Sequence, residues 1–582
     1  MPRFLIPLLI FVGFGLFFAF QACPVFYFWD SAELTAAVLS NGVPHPPGFP
    51  TFLILAGIWN WLVPANPAYA LNLFSAFFAA LGLVLWYLVI KKIISGLDFH
   101  RPSVFASILA LIPTALMGVS FSYGIQATRL EVYALNFAGF AALTLLALKI
   151  RRLEQGITPA GISFFVLLGI MLGVHNLTIA LAVPGLLLLM RGSRELGVKH
   201  IVVGMALALA IAFGLYIIIY LRAQGNPALN WGDPSNMKSL LNYIFIKDFS
   251  TSIKSAWFGH IIDEIGFVIG LISRQVGVPG LLLTAVGAIY LSLNSRPVGR
   301  AMLVIFILNL LSITLAANYF YENFDIHGYL IISLAVVTIY LAVGLEFIYQ
   351  AVSRKASSTS VKGISARGAT LAVAIGLAIC VKPCLNNFRS ADLSRVTSAQ
   401  TVAEDYLGNS PDGSVILTSS YNTYFSLLAE QALSHRYDDR IILNIYNWDH
   451  EWGKRQSNKA LNLDINTDSP RQDYYRAFVN AAVTKSPIYI EYDHSSRPLA
   501  RYLYPQGLGY VLSVDTTGAE QESSMDDIYF SRAKGSAEIE SIRTWVLWLQ
   551  CRGEYYRDRG LHELADQYFS ALNTVAENAN TK

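Results

Sequence analysis

The stretch "WDSAELTAAVLSNGVPHPPGFP", Trp29 to Pro50, follows the first apolar run of the chain and decides how the rest is read. Asp30 and Glu33 stand three residues apart. A helix beginning at Asp30 would therefore carry both carboxylates on one face. His45 lies among Pro44, Pro46, Pro47 and Pro50. Each proline fixes its own φ and drives the residue before it to extended backbone, so His45 is held in a stiff loop. A plain alternative exists: Asp30 caps a first turn, Glu33 is a solvated acid, and the prolines only turn the chain. Carboxylates beside hydrocarbon are costly, however, and are functional candidates for that reason.

The surroundings are hydrocarbon. Of 582 residues, 54% are hydrophobic, 13% aromatic and only 14% charged. Soluble domains carry about 25% charged residues. The composition is that of a protein crossing a membrane many times. A net charge of +3 gives no basic footprint for nucleic acid. The four cysteines form no metal or disulfide framework and read as small buried residues.

Apolar runs long enough to span fall at about 4–22, 70–90, 103–121, 132–150, 160–174, 176–190, 200–221, 279–295, 300–318, 328–350 and 367–384. The run 51–63, bounded by Pro50 and Pro64, is short and fits an interfacial or dipping segment. The first run has the look of a signal peptide, but its removal would leave Asp30 unanchored, so it reads as a retained helix. With the N-terminus inside, the inner loops collect the basic residues, among them Lys91, Lys92, Arg151, Arg152, Arg191, Arg194, Arg296 and Arg300. About eleven spans are consistent with that bias. Asp30, Glu33, Glu131, Asp233 and Asp325 then face outward, as does everything after residue 385 or so.

The last third is polar. Strand-like runs at 414–419, 440–446 and 487–492 alternate with helical patterns near 421–433 and 470–484, which predicts an α/β domain with a largely parallel sheet. Gly553, Tyr556, Gly560, Ala565 and Phe569 fall at tetratricopeptide spacing, and one such hairpin must pack on a neighbour to bury its face. The expected organisation is a membrane domain over 1–384, an extracytoplasmic α/β domain over 385–535, and a tetratricopeptide-like hairpin over 536–582.

Other outer segments hold further candidates. "QATRLEVYALN" (126–136) offers Arg129, a phosphate ligand by residue type, and Glu131, or simply an interfacial ion pair. His175 and Asn176 lie where two short apolar runs meet; they would line a cavity or bond helix to helix. "NWGDPSN" (230–236) places Trp231 and Asp233 in a turn, an aromatic and a carboxylate suited to a sugar. Lys247, Lys254 and Arg274 share its long loop as phosphate candidates. "YENFDIHGY" (321–329) brings Glu322, Asp325 and His327 to the mouth of a late span, without metal-site spacing. No Walker loop, dinucleotide fingerprint, nucleophile elbow or HExxH motif occurs.

The first-loop motif, many spans and an outer C-terminal domain resemble the GT-C superfamily of membrane glycosyltransferases. Within it, "WDSAELTAAVLSNGVPHPPGFPTF", "LEVYALN" (130–136), "GVHNLT" (173–178), "NWGDP" (230–234) and "YDDRIILNIYNWDHEW" (437–452) are similar to segments of the transmembrane protein O-mannosyltransferases that include the plexin-modifying enzyme. The resemblance implies a polyprenyl-phosphate sugar donor, with mannose the sugar it points to, and transfer with inversion to a hydroxyl of a protein. Asp30 is then the expected base, with Glu33 its orienting partner or substitute; by residue chemistry and not by the resemblance, His45, Arg129, Lys247, Lys254 and Arg274 are the pool for the donor phosphate. Glu131, His175, Asn176, Trp231, Asp233 and His327 are expected around the substrates. No cofactor is expected, although a divalent metal fits some members of the superfamily. Competing readings are transfer of another sugar to lipid or polysaccharide, a transporter, and a scaffold using its tail. The outer third has no Asn-X-Ser/Thr site, which leans toward a prokaryotic plasma membrane over the endoplasmic reticulum.

Overall fold

The computed structural model describes residues 4–97, 103–151, 159–191, 197–247, 261–316, 324–354, 361–513 and 526–580. Lys254 and Glu322 lie outside the described residues.

Six helices among the described residues are long and apolar enough to cross a membrane: Pro67–Ser95, Val132–Ile150, Val198–Gln224, Ile265–Asn294, Arg296–Ile313 and Asp325–Val352. A seventh candidate is bent: Val104–Gly118 turns by 67° into Phe121–Ala127. The other expected spans fall on shorter apolar helices, Leu5–Gln21, Pro159–Leu172, Asn176–Met190 and Arg367–Val381, as does the 51–63 run on Pro50–Leu62. The 160–190 run is two helices, broken before His175. The stretch Ile261–Asn294 is two helical segments broken at the non-helical Gly277, at φ 71°, and the second begins near Pro279 as the sequence predicts. The first segment buries Val268, Leu271 and Ile272.

The helix Asp325–Arg354 is the most enclosed of the long helices. It packs on its neighbour Ile261–Asn294 at two glycines. A Cβ on Gly287 would lie 1.8 Å from the Tyr340 carbonyl oxygen, and one on Gly344 would lie 2.4 Å from that of Leu283. Small residues let membrane helices approach to backbone contact, where dispersion takes the place of the hydrophobic effect.

The polar third holds a five-stranded sheet of order β2-β1-β3-β5-β4. Its strands are β1 (Val415–Thr418), β2 (Ile441–Asn444), β3 (Ile488–Ile490), β4 (Leu503–Gln506) and β5 (Gly509–Leu512). The first three are parallel, with Val415 paired to Ile441 on one side and to Ile488 on the other. The other two are antiparallel, so the sheet is mixed and not largely parallel as predicted. The cause is a hairpin over 503–512, turning at Gly507 with φ 58°. Pro505 within β4 hides it from a propensity reading, and as an end strand of the sheet β4 can carry a proline. Two helices, Ile539–Asp558 and His562–Asn580, pair as the terminal hairpin.

The Gly287 contact predicts that Gly287→Val lowers thermal stability in detergent, at a cost of about 1–3 kcal/mol for overpacking. Gly270→Ala, at a position with open space around it, should leave the melting temperature unchanged.

Candidate active site

Asp30 opens the helix Asp30–Leu39, and Glu33 falls one turn on, fully buried. The loop after the helix folds back so that His45 meets both. The His45 backbone N–H donates to Glu33 Oε1 at 2.7 Å, and its Nδ1 lies 2.5 Å from Glu33 Oε2. Its Nε2 is 3.8 Å from Asp30 Oδ2. The loop is held from outside by the Tyr243 hydroxyl, which donates to the Pro44 carbonyl, and by backbone bonds tying Val43 to Leu229 and Trp231. Burial disfavours a charged His45, but the Glu33 and Asp30 carboxylates outweigh it and push its pKa up to about 10. Burial raises the Asp30 pKa; Asp325 and Glu33 add to the rise, while His45 and Arg129 oppose it.

A second charged group adjoins the first. Arg129 is fully buried, its Nη2 at 3.1 Å from Asp325 Oδ1 and 3.2 Å from Glu131 Oε1. Its guanidinium packs between the rings of Tyr27 and Phe324. Asp30, Glu131 and Asp325 each bring a carboxylate oxygen within 4.8 Å of the other two. Thus residues from the first loop, the 126–131 loop and the start of Asp325–Arg354 meet at one place.

Asn72 holds the loops in register. Its amide donates to the Cys23 and Val25 carbonyls, both at 2.7 Å, and accepts from the Leu130 N–H at 2.7 Å. Sequence reading passed over it. Its signal was an amide inside the apolar run of Pro67–Ser95, which is costly unless bonded. Asp325 was noticed only as part of a loose His and carboxylate cluster; its partner Arg129 lies 196 residues away and has no local signature.

The remaining candidates spread around this centre. His175 stands behind it: its ring stacks on Phe49, which in turn contacts His45. Tyr133 and Tyr329 complete an aromatic surround, and Nδ1 is 3.0 Å from the Thr178 hydroxyl. Asn176 donates to the Ile244 carbonyl at 3.3 Å. Trp231 lies edge-on to His45 and packs on Tyr421, Phe425 and Trp452 of the polar third. Asp233, at φ 42°, accepts from Asn230 at 3.2 Å and shapes the turn that presents Trp231. His327 is turned to the Ser122 hydroxyl, 2.8 Å away, and packs on Phe121. Lys247 and Arg274 are exposed.

Among the described residues, two clusters have the spacing to hold a cation, Asp30-Glu33-His45 and Asp30-Glu131-Asp325. In the first, both Glu33 oxygens are engaged by His45. In the second, Arg129 Nη2 already lies against Glu131 Oε1 and Asp325 Oδ1, and Glu131 Oε2 receives no hydrogen bond among the described residues. That all-oxygen set fits a hard divalent cation.

Residues 30–196 match the family model described as the Protein O-mannosyl-transferase TMEM260 N-terminal domain. The matched segment contains Asp30, Glu33, His45, Arg129, Glu131, His175 and Asn176. The mouse protein named Protein O-mannosyl-transferase TMEM260 is 27% identical over 231 residues, 38% of this chain and 31% of that protein. The Dictyostelium discoideum protein of the same name is 21% identical over 306 residues, 49% of this chain and 36% of that protein. The chain therefore spans about a third of the length of the curated relatives it matches. Among solved structures, ArnT from Cupriavidus metallidurans superposes with a TM-score of 0.52 at 12% identity, covering 88% of this chain and 99% of ArnT. ArnT bound to undecaprenyl phosphate gives the same TM-score at 11% identity, with the same coverage. The chain thus shares its fold with ArnT.

The Glu33–His45 contact predicts a high-titrating imidazole. In ¹³C-histidine NMR, His45 should stay protonated until pH approaches 10, and in Glu33→Gln it should lose its proton at distinctly lower pH. The sign follows from the carboxylate favouring the charged ring.

Proposed function

We propose that the chain is an inverting glycosyltransferase. It moves a sugar, mannose by family likeness, from a polyprenyl phosphate to a serine or threonine hydroxyl of a protein outside the cytosol. The observation that carries the reading is the set Asp30, Glu33 and His45, in which His45 bonds to Glu33 and stands 3.8 Å from Asp30, within the segment that matches the O-mannosyltransferase domain.

In this reading the acceptor oxygen attacks the anomeric carbon as the bond from that carbon to the phosphate oxygen breaks. The hydroxyl proton passes to Asp30, and the electron pair leaves with the lipid phosphate. Asp30 suits the base because it is half-buried, and burial raises its proton affinity. Glu33 is sealed from solvent and occupied by His45, which makes it the group that orients the loop. His45, protonated between two carboxylates, is the nearest cation to Asp30 on that loop and would meet the charge developing on the phosphate. Arg129, buried among carboxylates, sets the field that Asp30 feels. Lys247 and Arg274, both exposed, are cations that a phosphate approaching from the side would meet. A divalent cation on Asp30, Glu131 and Asp325 would add positive charge for the same leaving group.

ArnT, which shares the fold, has been solved with undecaprenyl phosphate, and this supports a polyprenyl-phosphate donor here. A cavity of about 1420 Å³, lined by Tyr27, Phe324, Asp392, Arg395, Ser541 and Gln550 among others, supports a polymeric acceptor. It exceeds the roughly 300–1,000 Å³ usual for small ligands, and Tyr27 and Phe324 are the rings that pack on Arg129. The basic inner loops support a cytoplasmic N-terminus, with the site and polar third on the far side of a plasma membrane.

The test is transfer of label from polyprenyl-phosphate mannose to candidate acceptor domains. Wild type should transfer, and Asp30→Asn should lose about 10²-fold or more in kcat, the scale of general-base catalysis. Undiminished transfer by Asp30→Asn would remove the base. Absence of transfer from any lipid-linked sugar would remove the function.

A further inference from the structure

Trp29, immediately before Asp30, has φ 58° and ψ −133°. A residue with a side chain seldom adopts this geometry, and it persists only where the surroundings over-determine it. Packing alone does not hold Trp29, which is 36% exposed. Hydrogen bonds from the polar third do. Its backbone N–H donates to Asn422 Oδ1 at 3.1 Å, and its indole Nε1 donates to Glu540 Oε2 at 2.7 Å. Two residues earlier, the Tyr27 hydroxyl donates to Glu538 Oε1 at 2.5 Å.

Glu538 and Glu540 open the first helix of the terminal hairpin. Glu538 is its N-cap and accepts from the backbone N–H groups of Glu540 at 2.9 Å and Ser541 at 2.8 Å. Glu540 is buried and braced by Arg543. Both carboxylates are thus fixed before they meet the loop.

On the other side, the Trp29 carbonyl accepts from the N–H groups of Ala32 at 3.0 Å and Glu33 at 3.1 Å. The Trp29 peptide therefore sets the start of the helix whose first residue is Asp30. Rotation at Trp29 would swing Asp30 and break the turn that carries Glu33.

We propose that Glu540 is a positioning residue for the transfer reaction: acting through the Trp29 indole, with Glu538 through Tyr27, it aims the Asp30 carboxylate, so the terminal hairpin belongs to the active site. The inference rests on the glycosyl-transfer reading. A loose loop would still bind donor but would present the base off line, and misplacement of about 1 Å can cost 10²-fold in rate.

The test uses the full chain with Trp29→Phe, Glu540→Ala, Glu540→Gln and the double variant Trp29→Phe/Glu540→Ala. Trp29→Phe keeps an aromatic ring and loses the N–H; Glu540→Gln keeps an acceptor oxygen. The first two should each lower kcat about tenfold with the donor KM within about twofold. The double variant should be no worse than the poorer single, because both remove one contact. Glu540→Gln should recover most of the rate. Hydrogen exchange of the 30–39 amides should quicken in the two damaging variants and not in Glu540→Gln, a readout that needs no turnover. Unchanged kcat and exchange in Glu540→Ala, or additive losses in the double variant, would overturn the proposal while wild-type transfer still supported the function. A global fall in melting temperature common to all four variants would show a merely structural contact and overturn it too.

Discussion

The guanidinium of Arg129 is the charge around which the site is built. It is buried with Glu131 and Asp325, and Asp30 stands within reach of both carboxylates. Three acids gathered in a poorly solvated place would repel one another strongly. One fixed cation makes the gathering tolerable, and removing one partner of such a buried pair typically costs about 3–5 kcal/mol. Because the partners come from loops far apart in the chain, the ion pairs also fix how the membrane helices meet. Asn72 repeats the pattern with neutral groups, bonding the first loop to the 126–131 loop.

The polar third is a working part of this arrangement. The helix Tyr421–Ser434 lies against Asp30–Leu39. Trp231, in the segment after Val198–Gln224, packs on Tyr421, Phe425 and Trp452 and also contacts His45. The terminal hairpin reaches back to Tyr27 and Trp29. The acidic loop is therefore held from one side by the apolar helices and from the other by the polar third.

Much of this was legible in the sequence, for physical reasons. Asp30, Glu33 and His45 stood out because carboxylates and a proline-stiffened histidine are expensive beside hydrocarbon, and the structure brings them together, His45 bonding Glu33 with Asp30 alongside. That β1, β2 and β3 run parallel followed from strand-like runs alternating with helices, while their order in the sheet did not. What escaped depends on contacts between distant residues. Asp325 looked like part of a cluster with His327, yet it turns to Arg129 while His327 turns to Ser122. The β4–β5 hairpin was masked by Pro505. Glu538 and Glu540 look like ordinary first-turn acids of a helix, and nothing local in them points 511 residues back to Tyr27 and Trp29.

The central claim is that Asp30 is the group that meets the acceptor hydroxyl at the anomeric carbon of a lipid-linked sugar. A cryo-electron microscopy structure of the Asp30→Asn protein with a polyprenyl-phosphate mannose and an acceptor peptide bound tests it directly. The account predicts the anomeric carbon near residue 30, within about 3–3.5 Å of an acceptor oxygen that itself hydrogen-bonds to the residue 30 side chain, with the phosphate on the side of His45. A sugar seated away from residue 30, with its phosphate beyond reach of His45, would contradict the account.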